Sequence, residues 1–343
     1  MTRVARPLLW PLVPAYKLAL ALREVQLRWG LKRVRRLRRA VVSVGNLSAG
    51  GAGKTPLTIA LAKALEARGV DVDVLSRGYG RRSAVPLLVE GSGDAERFGD
   101  EPLVIAREAR VPVYVAAERY EAGMLAEGAR EQGSKGASQH VSELASQRLD
   151  VHLLDDGFQH RQLHRDVDIL LLSAEDLADH LLPAGNLREA LHAAERANVI
   201  AIPADEPEVA EWIESQGWKK AVWRIRREMD VPRIEGTVIA FCGIARPEQF
   251  FNGLESAGLR LAARMAFADH HSYSAGDVER IVAAAQKAGA TTLLTTEKDR
   301  VRLGALATDL PAWLVLKTVA LRIEIEDEAG VIDWLVRRVR GLA

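Results

Sequence analysis

The sequence predicts an α/β fold, in which a parallel sheet flanked by helices is joined to a second, smaller α/β unit and preceded by a basic amphipathic helix. Three observations carry this expectation. Short apolar, β-branched runs alternate with stretches of helical spacing, as in sheets whose strands are buried on both faces. A glycine-rich turn joins the first of these runs to the first helix. The charge is also uneven: residues 1–40 hold eleven Lys or Arg and one acid, Glu24, in a chain of 343 residues with 47 basic and 46 acidic side chains.

In chain order, the first 40 residues interleave Leu8, Trp10, Leu18, Leu22, Leu27 and Trp29 with the basic side chains. The longest uncharged run, Pro7 to Tyr16, has ten residues and three prolines, whereas a bilayer-spanning helix needs ~20 apolar residues. A signal peptide fits poorly, because a basic cluster and then a strand occupy the place of a cleavage site. The pattern suits a helix lying on an anionic membrane surface. A solvated structural helix or a nucleic-acid patch is the alternative.

Ala40–Val44 then reads as a buried parallel strand, and Pro56–Arg68 as a helix with Pro in its first turn and Gly69 at its stop. Strands follow at Val70–Leu75, Val111–Val115, Leu149–Leu154, Val167–Leu172 and Asn198–Ile202. Residues 128–148 are polar and rich in Gly and Ser, which reads as a loop or insertion, and 203–220 reads as a helix before a junction. The second unit shows a strand at Val238–Cys242, helices near Pro247–Ala257 and Ala275–Ala288, a strand at Thr291–Thr295 and a final helix over Gly330–Arg340. The expected division is a membrane-interface segment over 1–40, a nucleotide-binding core over 41–215 and a smaller α/β domain over 216–343. A single cysteine, Cys242, excludes an internal disulfide and a zinc site of several thiolates, and suits a reducing, cytosolic compartment.

The strongest chemical signal is Gly45–Thr55, GNLSAGGAGKT. Backbone N–H groups of Ser48, Ala49, Gly50, Gly51, Ala52 and Gly53 are placed to cradle phosphate, Lys54 to reach the β- and γ-phosphates and Thr55 to hold Mg²⁺, above the positive end of a helix. The strict P-loop pattern wants glycine where Ser48 stands, a mild departure because three other glycines keep the turn permissive. An apolar strand ending in Asp155-Asp156 resembles the second element of such sites, where a carboxylate holds Mg²⁺. His160 and His164 stand four apart but lack an evident third zinc ligand. The segment Ser76–Arg82, with Arg77 and Tyr79, offers groups for an anionic substrate head. Asp100 in GDEP is either a helix cap or a catalytic carboxylate, and FADHHSY over 267–273 offers two imidazoles and a carboxylate.

Taken together, VGNLSAGGAGKTP (44–56), SRGYGR (76–81), GDEP (99–102), LDDGFQH (154–160), LPAGNLRE (182–189), FCGIARPEQF (241–250), FADHHSY (267–273) and TTEKDRVRL (295–303) resemble, in order, the tetraacyldisaccharide 4'-kinases, the lipid A 4'-kinases of Gram-negative bacteria. The resemblance implies ATP as phosphate donor with Mg²⁺, and a tetraacyldisaccharide 1-phosphate as acceptor, phosphorylated at its 4'-hydroxyl to lipid IVA. It implies a peripheral protein on the cytoplasmic side of the inner membrane, with no nucleic acid and no obligatory protein partner. By the same resemblance Asp100 is the catalytic base and His270 assists it, with Lys54 completing the catalytic set. Asp155, Asp156 and His160 form the acidic strand end, Arg188 and Glu189 lie beside the nucleotide, and Thr55, Asp155 and Glu189 are candidates for Mg²⁺. Asn186 and Ala190 stand where the family commonly has prolines. The competing classes are a P-loop GTPase or metal-insertion ATPase, for which the chain lacks an Asn-Lys-x-Asp motif, and a nucleotide-gated scaffold, which leaves GDEP and FADHH unexplained.

Overall fold

The computed structural model describes residues 6–51, 53–135 and 149–341. A 3-10 turn (Pro7–Leu12) leads into α1 (Val13–Arg28). The first half then runs β1 (Ala40–Asn46), α2 (Lys54–Ala67), β2 (Asp71–Ser76), β3 (Leu87–Leu88), α3 (Ala95–Phe98), α4 (Asp100–Ala109), β4 (Val113–Val115), α5 (Arg119–Lys135), β5 (Asp150–Asp155), β6 (Val167–Leu171), α6 (Ala174–Leu177), β7 (Val199–Pro203), α7 (Pro207–Ser215) and β8 (Ala221–Asp230). The second half contributes β9 (Thr237–Cys242), α8 (Pro247–Ser256), β10 (Arg260–Ala266), α9 (Ala275–Ala288), β11 (Thr292–Thr296), α10 (Glu297–Leu303), β12 (Val315–Ile325) and α11 (Glu328–Val339).

All described strands join one sheet of twelve, in the order β10-β9-β11-β12-β8-β7-β6-β1-β5-β2-β4-β3. Neighbours are parallel except β8 with β12 and β3 with β4. The register of β12 decides where a ligand can sit. Its residues from Val315 to Val319 pair in parallel with β11, while Ala320 to Ile325 pair antiparallel with β8. Thr296, at the end of β11, therefore lies opposite Val319, and Asp230, at the end of β8, lies opposite Ala320. The two halves run in opposite directions yet point their strand C-termini at one place, where open α/β sheets bind ligands.

The expected strands of both units are present, and the sequence reading missed four. β8 (AVWRIRREMD) and β12 (VLKTVALRIEI) alternate apolar and charged residues because each has a solvated face, so they lack the continuous apolar run of a doubly covered strand. β10 alternates in the same way at the edge of the sheet, and β3 has only two residues. The segment read as a loop from residue 128 is helical through Lys135, as the end of α5, and the rest of that segment lies outside the described residues. The boundary expected at 216 falls just before β8, which pairs with β7 on one side and β12 on the other, so the sheet is continuous across it.

α2 buries Leu57, Leu61 and Leu65 against the sheet in the largest apolar cluster, and α11 is pinned to the same cluster by an edge-on pair of Trp334 with Trp223, ring centres 5.7 Å apart. On the strand ends away from the cleft a buried ion pair joins neighbouring strands. His152 of β5 and Asp73 of β2 are opposite each other in register, with Nδ1 and Oδ1 2.6 Å apart. Burial alone would lower the His152 pKa, but the hydrogen bond with Asp73 and the Glu127 carboxylate 3.6 Å from Nε2 overcome it and raise it above the usual 6.5. A histidine raised on folding contributes stability that is complete below its unfolded pKa and lost as pH climbs through the folded value. Asp73→Asn should therefore cost about 3 kcal/mol at pH 6 and measurably less at pH 8.5, read as the wild-type-minus-variant difference in denaturant unfolding at the two pH values.

Candidate active site

The loop after β1 turns through Gly50 and Gly53, both at φ +89°, a conformation that only glycine adopts without strain. A side chain on Gly50 would meet Ala245 of the second half at 3.0 Å. The loop ends at the N-terminus of α2, where free N–H groups and the helix dipole favour an anion. Lys54 Nζ is held 3.0 Å from Asn46 Oδ1 and 3.4 Å from Asp156 Oδ1, and Thr55 is buried beside it. Ala49, Gly50, Gly51, Gly53, Lys54 and Thr55 line a cleft of about 950 Å³ between the two halves. Ser48 is completely buried and does not line it. Its hydroxyl accepts from Asn46 and its carbonyl from Arg188, so it shapes the loop from behind. Ala52 lies outside the described residues.

Opposite the loop, β5 ends in Asp155, which accepts from Thr58 Oγ1 at 3.2 Å. Asp156 follows at φ +51°, gripped by both terminal nitrogens of Arg188 at 3.0 and 3.1 Å. This turn is pressed onto β1: a methyl on Gly45 would stand 2.5 Å from Phe158 Cβ, and Phe158 is completely buried. The two aspartates are driven apart in acidity. Burial, with Glu101 and Asp156 nearby, pushes Asp155 up to about 7. Burial opposes ionisation of Asp156 too, but Lys54 and Arg188 hold it well below the usual carboxylate range. Burial and surrounding arginines lower His160 to about 4, so it presents a neutral imidazole to the cleft.

Asp155 and Thr55 are hard oxygen donors facing the phosphate loop, which suits Mg²⁺, an ion that takes one or two protein oxygens and completes its shell with phosphate and water. Among the described residues no group of three His, Cys, Asp or Glu side chains is arranged to hold a metal by itself, and His160 and His164 form none. Glu189, the other candidate for Mg²⁺, pairs with Arg196 at 2.8 Å in this structure and does not line the cleft, whereas its neighbour Arg188 does.

The other end of the cleft is built from both halves. Gly99, at φ +87°, packs on Gly78, and an added methyl would stand 2.9 Å from Gly78 Cα, so GDEP and SRGYGR seat each other. Asp100 opens α4 and is 4% exposed, just behind the cleft wall. Its Oδ2 lies 3.3 Å from His270 Nδ1, bringing together the two residues the sequence singled out. The hydrogen bond to Asp100 raises the His270 pKa, and His270 Nδ1 and Arg302 share that carboxylate oxygen. Against burial, His270, Arg302 and Lys298 keep Asp100 well below the ordinary carboxylate range. Tyr79 packs against His270 with ring centres 5.2 Å apart and planes tilted by 56°, and Arg77 lines the cleft nearby.

Sequence reasoning missed several participants. Lys298 donates to Glu101 at 2.5 Å, and Arg302 donates to Asp100 at 2.8 Å. Both lie in TTEKDRVRL, four residues apart, so a helical reading of that segment puts them on one face. Gln159 donates to Asn46 O and accepts from Arg188. The N-terminal helix also reaches the site: Arg23 lines the cleft and donates to Gln159 O, and Tyr16 Oη donates to Arg188 O at 2.9 Å.

Comparison with known proteins agrees with this geometry. The family model described as tetraacyldisaccharide-1-P 4'-kinase matches residues 5–340. A tetraacyldisaccharide 4'-kinase of Koribacter versatilis is 40% identical over 95% of this chain and 97% of its own length. One from Geobacter metallireducens is 36% identical over 90% and 92%. A crystal structure of LpxK from Aquifex aeolicus, described as an "apo" form in complex with ATP, superposes with a TM-score of 0.70 at 30% identity, covering 97% of this chain and 99% of that one. With nearly every residue matched and the loop, the acidic strand end and the Asp100–His270 pair gathered around one cleft, the chain belongs to the tetraacyldisaccharide-1-P 4'-kinase family.

Proposed function

We propose that this protein transfers the γ-phosphate of ATP to the 4'-hydroxyl of a tetraacyldisaccharide 1-phosphate, forming lipid IVA, at the cytoplasmic face of the inner membrane. The observation that carries the reading is the meeting of Lys54, on the phosphate loop of one half, with His270 and its partner Asp100 across a single cleft. Phosphoryl transfer asks a protein mainly for positioning and charge neutralisation. The loop N–H groups and Lys54 take the β- and γ-phosphates, and Thr55 with Asp155 would hold Mg²⁺. When bound, that ion neutralises charge on the phosphate oxygens. The Asp100–His270 pair accepts the proton of the sugar hydroxyl, with Asp100 as its carboxylate base and His270 as its cleft-facing member. The hydroxyl oxygen bonds to the γ-phosphorus as the bond to the β-phosphate oxygen breaks, and ADP leaves. Arg77 and Tyr79 stand where an anionic sugar head would enter.

Membrane binding is assigned to α1. Val13, Tyr16 and Leu20 pack against the cluster around Leu47 and Phe158. Leu18, Leu22, Val25 and Trp29 remain exposed on another face, followed by exposed Leu31 and a run of basic residues. No helix among the described residues is long and apolar enough to cross a membrane. A docked helix with a bare apolar stripe and a basic end suits an anionic interface.

Two measurements test this reading. Transfer of labelled γ-phosphate to purified tetraacyldisaccharide 1-phosphate in micelles should fall at least ~100-fold in Lys54→Ala and in Asp100→Asn. The second should retain ATP binding, and unchanged lipid labelling by Asp100→Asn would remove Asp100 as the base. Leu18→Glu with Leu22→Glu should weaken co-sedimentation with phosphatidylglycerol vesicles ~10-fold or more, leaving ATP binding intact. Wild-type sedimentation of that double variant would refute the assignment of α1.

A further inference from the structure

We propose that Arg302 is a positioning residue for phosphoryl transfer: reaching from the second half, it holds the Asp100 carboxylate of the first half in the orientation that serves His270. The inference rests on the reading of Asp100 as the base. α10 presents Lys298 and Arg302 one turn apart, and they engage consecutive carboxylates in the first turn of α4, Glu101 and Asp100. Nε of Arg302 donates to Asp100 Oδ2 at 2.8 Å, and its Nη2 contacts the same oxygen. Nη1 is anchored on Gly243 O at 2.5 Å and Asp299 Oδ1 at 3.2 Å, which fixes the plane of the guanidinium. Nη2 also stands 3.3 Å from His270 Nδ1, so one arginine touches both members of the pair. Asp299 is itself completely buried and accepts from Gly243 N and Tyr273 Oη, so the anchor is rigid. The side chains of Arg302 and Asp100 are 6% and 5% exposed, and water does not screen their contact.

A buried carboxylate loses its reason to stay ionised when its cation is removed. The charged and titratable groups around Asp100 are His270 and Asp269 on the loop after β10, Arg302, Lys298 and Asp299 on α10, and its neighbour Glu101, with Tyr79 over His270. Without Arg302, burial and Glu101 oppose ionisation, while His270 and Lys298 alone favour it. Asp100 then takes up a proton at higher pH and cannot receive one from the sugar, so the loss of activity deepens as pH falls.

The test is the pH profile of transfer to tetraacyldisaccharide 1-phosphate in micelles, for wild type, Arg302→Gln, Arg302→Lys and Asp100→Asn, with ATP affinity and Tm measured alongside. Arg302→Gln should lose ~10-fold or more in kcat at pH 8.5, through the lost grip on Asp100, and progressively more as pH falls. Arg302→Lys, which keeps the charge but not the forked grip, should show a smaller shift in the same direction. It also serves as the folded variant if Arg302→Gln proves unstable. ATP affinity should be unchanged in both. A loss equal at every pH, or no loss, with Asp100→Asn inactive, would overturn the role of Arg302 and leave Asp100 as base. An active Asp100→Asn would instead remove the reading on which the proposal rests.

Discussion

The cleft exists because one strand changes partners halfway along its length. In an ordinary mixed sheet, halves of opposite direction would present their strand C-termini at opposite edges. Here β12 leaves β11 at Val319 and joins β8 at Ala320, and Val319, Ala320 and Leu321 form part of the cleft wall. The offset brings the phosphate loop after β1, the aspartates after β5 and the loops after β9, β10 and β11 to one space. Both faces of the changeover must be satisfied. Ile323 and Ile325 of β12 join the core cluster that holds α2 and α11, while Val319 joins a second cluster with Val238, Ala240 and Leu294. Two cores thus share one strand, and the phosphate loop of one half lies within contact of Ala245 and Arg246 of the other.

Around that cleft, charge is arranged as pairs with unequal partners. Asp155 and Asp156 are adjacent in sequence but differ in the cations they face. Arg188 and Lys54 converge on Asp156, leaving Asp155 the carboxylate still short of positive charge. Such separation of neighbouring carboxylates fits the roles proposed above, Asp156 fixing the scaffold and Asp155 offered to a cation. Two of the four non-glycine residues with left-handed backbone among the described residues also fall in this region. Asp156 and His270 both adopt left-handed backbone conformations, at φ +51° and +58°. Each costs about 1–3 kcal/mol and persists only where its surroundings over-determine it. Arg188 supplies that constraint for Asp156, and Tyr79, Asp100 and the His270 N–H to Gly243 O bond supply it for His270.

The sequence was legible where one local segment carries the whole signal. The GNLSAGGAGKT loop, the LDDGFQH turn and GDEP each combine an element boundary with the polar groups it presents, and each lies at a strand end or helix start as expected. It was less legible where a side chain's role depends on a partner distant in sequence. Arg302 meets Asp100 across 202 residues and Lys298 meets Glu101 across 197. Adjacent residues such as Arg188 and Glu189 point to different neighbours, a distinction that composition does not encode. β8 and β12 escaped for a related reason: their alternation belongs to an antiparallel pair, while the surrounding motifs announced a parallel sheet. N-terminal basicity was legible as surface chemistry, but the docking of that segment beside the site was not, because it depends on Tyr16 and Arg23 finding Arg188 and Gln159.

That docking ties the N-terminal helix to the cleft. Tyr16 Oη donates to the carbonyl of Arg188, whose guanidinium grips Asp156, which in turn stands beside Lys54. Lifting α1 from the body would strip the apolar cover from the cluster around Leu47 and Phe158 and break the first contact of that series. A helix on a flexible tether would raise local concentration only, whereas one fixed at the cleft rim also sets the orientation of the site relative to the bilayer. For the proposed acceptor, whose acyl chains favour the membrane and whose hydroxyl would have to reach the cleft between Lys54 and His270, orientation is the harder requirement. On the membrane-binding role proposed for α1, the exposed stripe of Leu18, Leu22, Val25 and Trp29, opposite the face that packs on the body, would meet it without the lipid having to leave the bilayer.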